Sequence, residues 1–466
     1  MNKLQAIDAA RELLKVREDE RVRLDKLADA MLPWTDENAA KKVFASSKST
    51  SAETNREIAK RSQRNFLPLV LDTFSQGMKV DNYLASASKE SSPAWVWWQR
   101  NKMDARQAGV HRAALHYGAS YVITLPSMAP SGTPSAPGAF MRGASPRELT
   151  ALYGEPMEWT PGAGPVDDDW PIMAIEVKGN QIRVYDEQIV HFIGAKRAPN
   201  VSGMGWKDPS LQSADNFDYI EGRTHGVGVC PITRFRDRML LDGEEQFGII
   251  EPILGIQSNI DQNVFEGNTS QYWAAFKQRY VLGWMPADER EAFRQAVSET
   301  WFFKDEEVKV GQFAETDLTP FHEAKAGAIR DLAAIAQIPA HALGLDGISN
   351  ISEATLAALE TGKERKSSEI ETSFGESWEQ VLRTAAYIAG DDESAQDFAS
   401  EVLWRDQSAR SFAQTVDGLG KLATMLGVPP ELMWEDIPGW TREKADRARA
   451  MLAAGGGALA GVPELP

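Results

Sequence analysis

Apolar residues at the start of the chain recur at helical spacing on a heavily charged background. Leu4, Ile7, Ala10, Leu13 and Leu14, then Leu24, Leu27 and Met31, predict one helix from Leu4 to Leu32, which Pro33 ends. A polar Ser/Thr stretch without periodicity follows, "ASSKSTSAET" at 45–54, and reads as a linker. Helical patterns resume in "PLVLDTFSQGMKV" (68–80) and from Ala94 through "WVWWQRNKMDARQAGVHRAALHYG". The β-branched run "ASYVITL" after it predicts a strand. The Pro/Gly/Ser-rich segment Ser127 to Gly143 reads as an exposed, mobile loop.

The period then changes from helical to alternating. "IMAIEVKG" and "QIRVYD", divided by Gly179-Asn180, predict a hairpin, and "EQIVHFIG", a long loop and "VCPITRFRD" (229–237) complete a mixed region from about 120 to 237. Beyond it Asp242 with Glu245 has capping-box spacing ahead of a helix running towards Phe276, with Pro252 and Gly255 delaying its regular part. "QRYVLGW" (278–284) and "WFFKDEEVKVGQF" (301–313) read as strands around a short helix, "DEREAFRQAV". Thr319-Pro320 opens another helix, striped by Ala328, Leu332, Ile335 and Ala336 and closed by Pro339.

An apolar loop containing Gly344 and Gly347 comes next. Asn350 with Glu353 then caps a helix that reads on to Ala389, with Phe374, Trp378, Val381, Leu382, Ala385 and Ile388 on one face. At 1.5 Å per residue that helix is roughly 55 Å long, more than most compact domains need. Past Gly390-Asp391 lie "DFASEVLWRD", helical patterns at about 408–426 and 441–454, and a glycine-rich tail.

At 466 residues, 42% hydrophobic and 25% charged, the chain is of ordinary globular composition and long enough for several folding units. A net charge of -17 argues against wrapping nucleic acid through phosphate contacts, although an acidic wall can still repel and so guide DNA. The single cysteine, Cys230, excludes an internal disulfide framework and multi-cysteine metal sites. There is no basic-then-apolar leader and no apolar run near 18 residues, so neither secretion nor membrane insertion is expected. Fourteen tryptophans need large surfaces to cover them.

Catalytic motifs fail one by one. His322-Glu323 opens like a zinc-protease helix, but Ala326 stands where the second histidine belongs. "TGKE" at 361–364 lacks the first glycine and the Ser/Thr of a phosphate loop, and "GVGVC" at 226–230 lacks the third glycine of a dinucleotide fingerprint. Cys230 with His225 is more simply a buried thiol beside a loop histidine than a nucleophile and base. Asp167 to Asp169 and Asp391 to Glu393 read as solvated loop charge. His111 and His116 are five apart and poorly aligned as ligands. The Trp95, Trp97 and Trp98 cluster reads as packing before base stacking. No cofactor or metal is expected. The cations Lys363, Arg365 and Lys366 on the long helix read as a solvated face, or as lumen-facing groups if nucleic acid passes near them.

The order of elements, together with "WWQRNKMD" (97–104), "HRAALHYGASYVIT" (111–124), "CPITRFRDR" (230–238), "IEPILGIQSNIDQNV" (250–264), "AAIAQIPAHALGLDGISNISEATLAALE" (333–360), "FGESWEQVLRTA" (374–385) and "LWRD" (403–406), resembles the portal proteins of tailed bacteriophages, in particular those of actinobacterial siphophages. The resemblance covers roughly 1–440 and is most specific over 333–385. It implies an α+β, mainly helical portal fold with wing, stem, clip and small crown, in a ring of about twelve subunits around a DNA channel at the capsid vertex.

In the family's terms the wing spans 1–240, the stem helices 241–276 and 319–339, the clip 277–318, a tunnel loop 340–351, a long wing helix 352–390, the crown 391–454 and a loose tail 455–466. The resemblance further implies these partners: double-stranded DNA, the terminase large subunit, a head-to-tail connector, and the major capsid and scaffolding proteins. The place is the virion, after assembly in the host cytoplasm. Leu343, Gly344, Leu345, Asp346, Gly347, Ile348, Ser349 and Asn350 are then the candidates to face DNA. Arg279, Tyr280, Trp284, Glu291, Trp301, Lys304, Glu306 and Lys309 are the candidates for docking at the clip. The rival expectations are a diverged hydrolase or nucleotide-using enzyme, and an acidic scaffold or adaptor.

Overall fold

The computed structural model describes residues 1–33, 50–88, 90–127, 138–153, 170–199, 213–238, 247–274, 279–282, 309–312, 317–345, 353–405, 412–434, 437, 440 and 442–453. The chain divides into a unit of Met1–Arg405 and a smaller one of Asp406–Pro466.

In the first unit, helix α1 (Lys3–Met31) starts on a capping box in which the Asn2 side chain accepts from Gln5 N–H and the Gln5 side chain accepts from Asn2 N–H. Its buried stripe, Ala6, Ala10, Leu13 and Leu14, packs on Ile175, Val177, Ile182, Val184 and Ile193. These residues belong to an antiparallel five-stranded sheet of β4 (Leu149–Tyr153), β5 (Pro171–Lys178), β6 (Gln181–Tyr185), β7 (Ile189–Ala195) and β8 (Phe217–Thr224), in that order. The β5–β6 hairpin turns at Gly179, whose φ of 60° suits glycine.

The sheet's other face meets a three-stranded sheet, ordered β3 (Gly138–Ala144), β2 (Ala119–Ser127), β9 (Ile232–Arg236). Between them lie Tyr121, Ile123, Ala144, Leu149, Ala174, Tyr185, Val190, Cys230 and Ile232. Alternate residues of the small sheet, Val122, Met141 and Phe235, point the opposite way into the main core. There they meet α3 (Leu67–Ser75), α4 (Trp95–Arg100), α5 (Met103–Tyr117) and the 37-residue α8 (Glu353–Ala389). The layers therefore run helix, sheet, sheet, helices.

At the centre of the main core Trp378 of α8 donates from Nε1 to His111 Nε2 at 2.9 Å, and His111 Nδ1 lies 3.2 Å from the Met78 carbonyl. An indole only donates, so Nε2 is the acceptor and Nδ1 carries the proton. The imidazole is neutral, and complete burial pushes its pKa down to about 3, against the Met78 hydrogen bond. Phe374 stacks on the imidazole, and Trp98 and Phe235 stand edge-on to Trp378.

Both edges of the small sheet are closed by side chains. The Asn101 amide donates to Ala139 O and accepts from Met141 N on β3. On β9, Ser373 Oγ and Ser377 Oγ donate to Arg236 O and Arg234 O. Gly248 lets its segment approach α5 closely: a Cβ there would collide with the Leu115 and His116 carbonyls. Ile249 N donates to Leu115 O beside it.

Five expectations change. Thr50 to Thr54, read as part of a linker, begin the helix Thr50–Ser62. Gly138–Ala144, read as mobile loop, is strand β3, because it pairs with β2 from Tyr121 to Ser127 and has its edge covered by Asn101. β4 and β8 went unread, being too short or too polar for the alternating pattern to show. The helix expected over 68–80 ends at Ser75, and Val80–Leu84 forms β1, paired with β12 (Glu401–Trp404) from the far end of the unit. The helix from Ala94 breaks at Lys102, whose φ of 55° interrupts it. In the second unit, α10 (Phe412–Leu426) and α11 (Arg442–Ala453) flank a short turn where Arg449 donates to Glu431 O and Trp434 lies 6.1 Å from Trp440.

Two stability responses to pH follow. The unfolded chain protonates His111 near 6.5 and the folded chain only near 3, so its stabilising effect is full above pH 6.5 and lost as pH falls below it, by on the order of 1.4 kcal/mol per pH unit. His111→Leu should flatten this acid limb while costing roughly 2–4 kcal/mol at pH 8, because the Trp378 N–H and Met78 carbonyl are left unpaired; denaturant titrations across pH read both effects. Glu379, whose Oε1 accepts from Val402 N, has its carboxyl raised by burial to about 7 from an ordinary 4.5. Its stabilising protonated form is full below 4.5 and lost as pH rises through 7. Glu379→Gln should therefore gain on the parent as pH rises, the two differing least at pH 4 and the variant melting higher at pH 8.

Candidate functional site

Two helices leave the body of the first unit and return to it. Pro252 opens a single 3-10 turn, after which α6 (Leu254–Ala274) runs out, and α7 (Thr319–Ala336), with Pro320 in its first turn, runs back against it. Gly267 of α6 lies against the Phe321 side chain of α7. Beyond their ends β10 (Arg279–Leu282) and β11 (Lys309–Gln312) form an antiparallel pair, with Arg279 opposite Gln312 and Leu282 opposite Lys309.

The root of α6 is held by polar pins. Gln257, 5% exposed, accepts from Phe66 N and donates to Arg64 O, while Asp261 Oδ1 accepts from Arg64 N. Asn268 donates to Ser62 of α2 (Thr50–Ser62), and Arg23 of α1 grips Glu251 at 2.8 Å. Each pin joins the outgoing helix to a segment about two hundred residues away.

α7 buries Ala328, Ile329, Leu332, Ala333 and Ala336 and leaves Ile335 half exposed. It ends at Gln337, in the left-handed region with φ of 58°, with Ile338 N donating back to Ala333 O. A 3-10 turn over Ala340–Leu343 then brings the chain to Gly344, where φ is 78°. The other side of this corner is α8.

The residues singled out from the sequence fall in different places. Leu343 is buried and Leu345 packs partly on the main core, so these two anchor the glycine turn; Asp346 to Asn350 lie outside the described residues. Of the cations, Arg365 is exposed and Lys363 lies 3.8 Å from Glu360. Lys366 turns inward instead: its ammonium donates to Ala336 O, the last carbonyl of α7, and sits 5.2 Å over the Phe74 ring. Burial lowers its pKa, opposed by nearby Asp237, whose own carboxyl burial raises to about 6. Arg279 and Tyr280 stand on β10 and Lys309 on β11, where it is exposed. Trp284, Glu291, Trp301, Lys304 and Glu306 lie outside the described residues, as do Asp242 and Glu245.

The groups weighed for chemistry are occupied structurally. Cys230 Sγ points to Tyr185 O, and burial raises its pKa strongly; His225 Nε2 lies 3.0 Å from Asp186 O. Trp98 is fully buried with its Nε1 donating to Asp104. The Asp391 side chain caps the short helix α9 (Asp392–Ala395) by accepting from Ser394 N. Sequence reasoning missed the inward turn of Lys366 and the pins at Gln257 and Asp261. The signal for Lys366 was its place four residues before Ile370 and eight before Phe374, on the buried stripe.

A helix pair carrying a strand hairpin, a glycine corner at its return and a long helix across an α+β body is the plan of a portal subunit. The chain belongs to the phage portal protein family of the SPP1 Gp6-like type, whose model matches residues 36–456. The portal protein of Mycobacterium phage L5 is 23% identical over 367 residues, covering 76% of this chain and 71% of that one. The portal protein of Mycobacterium phage D29 is 23% identical over 373 residues with the same coverage. A chain in the neck of a native GTA particle computed with C12 symmetry superposes with a TM-score of 0.45 at 11% identity, over 86% of this chain and 92% of that chain. No helix among the described residues is long and apolar enough to cross a membrane.

Lys366→Ala should cost roughly 1–3 kcal/mol in denaturant titrations, because the Ala336 carbonyl and the Asp237 carboxylate lose their cation. Arg365→Ala, on the exposed face of the same turn, should stay within about 0.5 kcal/mol of the parent.

Proposed function

We propose that copies of this chain close into a ring of about twelve at the capsid vertex, through which double-stranded DNA enters and leaves. The observation that carries the reading is the excursion of α6 and α7 from a body to which both are pinned, with the strand pair β10–β11 beyond their ends. In this reading α6 and α7 are the stem. The residues from 277 to 318 are the clip, offering Arg279, Tyr280 and Lys309 to the terminase large subunit during packaging and to a head-to-tail connector afterwards. The rest of the body up to Arg405, with α8, is the wing against major capsid and scaffolding proteins, and the crown, expected from residue 391, begins instead with the second unit, since Glu401–Trp404 pairs with β1 of the body.

The loop that begins at Leu345 then forms a collar around the channel. Its residues 345–351 carry one charge, Asp346, so DNA touching it meets no strong phosphate ligand. The acidic balance of the chain, repeated around the ring, holds a polyanion off the wall and lets it translate. ATP hydrolysis is the work of a separate motor, and assembly takes place in the host cytoplasm before the ring enters the virion.

The full-length chain should form rings visible by negative stain, with a mass near twelve protomers. A species that stays monomeric or dimeric under all conditions overturns the reading, and nucleotide hydrolysis by the purified chain alone would revive an enzyme. Deleting Asp346 to Ile348, which spares the Leu345 anchor, should leave the rings intact and impair DNA packaging or retention in particles. Normal packaging by that deletion removes the collar from the mechanism.

A further inference from the structure

The three- and five-stranded sheets of the first unit touch along the Tyr121, Ala144, Ala174 and Tyr185 core and then part. Where they part, strands β3, β5 and β6 line a cleft of about 370 Å³ with Phe140, Arg142, Glu176, Lys178, Gln181 and Arg183. Three cations stand there against one carboxylate, on a chain whose net charge is -17. Phe140 is 41% exposed at the mouth, a large ring that the fold leaves in water.

The cations are prearranged. Glu176 is buried, and its carboxylate accepts from Arg142 at 2.5 Å, from Arg183 at 3.4 Å and from the Tyr185 hydroxyl at 2.7 Å. Arg183 also lies over the Phe192 ring, which Arg223 covers from 4.8 Å. A guanidinium has five donors and Glu176 engages few of them, so two part-exposed arginines lining the cleft keep N–H groups for a second acceptor. Such a fork suits a second carboxylate, and the adjacent exposed aromatic suits an apolar neighbour of that acid.

We propose that this cleft receives an acidic side chain of a neighbouring copy of the chain, with Phe140 as the apolar anchor of the contact. The inference rests on the ring reading, because a ring joins one face of each subunit to a different face of the next. Charge complementarity selects the occupant. Sixty-seven acidic residues make a neighbouring surface rich in carboxylates, and like-charged copies associate only where a cationic patch meets them. A nucleic acid fits less well: it needs cations along many phosphates, and these three are confined to one cleft on a chain of net charge -17.

The test uses the full-length chain and exposed positions only. The double variant Phe140→Ser with Lys178→Glu should keep the melting temperature of the parent and need at least tenfold more protein to assemble, by mass photometry and sedimentation velocity. A photoreactive benzoylphenylalanine at position 140 should crosslink to a second copy within assembled rings, at a peptide containing Asp or Glu. Rings that assemble at the parental concentration without that crosslink overturn this inference alone, and a parent chain that never assembles overturns the ring reading as well. Binding of a labelled 20-base-pair duplex by the parent and not by the double variant, with rings unaffected, assigns the cleft to nucleic acid and overturns the proposal.

Discussion

The fold depends on burying one face of a helix far longer than a single core requires. Ile370, Phe374, Trp378, Val381, Leu382, Ala385 and Ala386 of α8 are all buried, and the face carries an indole N–H into the centre of the molecule. An unpaired donor there costs as much as several good contacts supply, so the indole must meet an acceptor that is itself satisfied. His111 meets this need only in its neutral form, taking the indole proton on one side and donating to Met78 O on the other. One imidazole thereby fixes α8, α5 and the segment entering β1 relative to each other. The surrounding rings are placed by that axis, since Trp98 and Phe235 both stand edge-on to Trp378.

From this axis outwards the structure is finished with polar pins. The small sheet cannot continue on either edge, because Asn101 and the pair Ser373 and Ser377 occupy backbone groups there. That covers edges which would otherwise recruit a strand from another copy. The same solution recurs at the root of the outgoing helices, where Gln257, Asp261 and Lys366 bond to backbone far away in sequence. A helix pair held by its root needs little apolar burial along its length. α6 accordingly buries Gln257 and Ile260 near its start and leaves Tyr272 partly exposed near its end.

Much of this was legible from the chain and some was not, for physical reasons. Helices α1, α7 and α8 announce themselves because periodicity, proline and caps are local signals, and the Gly179 hairpin is equally local. Strand β3 was hidden because Gly138 and Ala139 have the composition of a loop; what makes them strand is pairing with β2 and the reach of Asn101. The β1–β12 pair joins residues more than three hundred positions apart, which no window along the sequence samples. At the site, the order of elements and the glycine corner were readable. The direction of Lys366 was misread because a lysine among Lys363, Glu364 and Arg365 looks solvated by composition, although its spacing from Ile370 and Phe374 assigns it to the buried stripe. A cleft between two sheets, such as that around Arg142 and Arg183, has no signal in one strand, since its residues come from three.

The inward placement of cations also bears on the charge the molecule presents. Arg17 is 3% exposed and bonds to the Arg147 carbonyl and Thr150, Lys366 closes α7, and Arg142 sits on Glu176. Each of these cations acts within the fold, some on neutral carbonyls and hydroxyls, where no acidic residue is cancelled. The surface carboxylates are correspondingly less compensated than the formal charge of -17 conveys. In the ring proposed above, with a polyanion in its channel, this arrangement has two effects of opposite sign. It keeps the wall from gripping phosphates, and it makes neighbouring copies repel unless a defined cationic contact joins them. In that proposal ring closure depends on a few placed cations and not on the overall balance, and the same acidity that frees the channel makes those contacts selective for the correct neighbour.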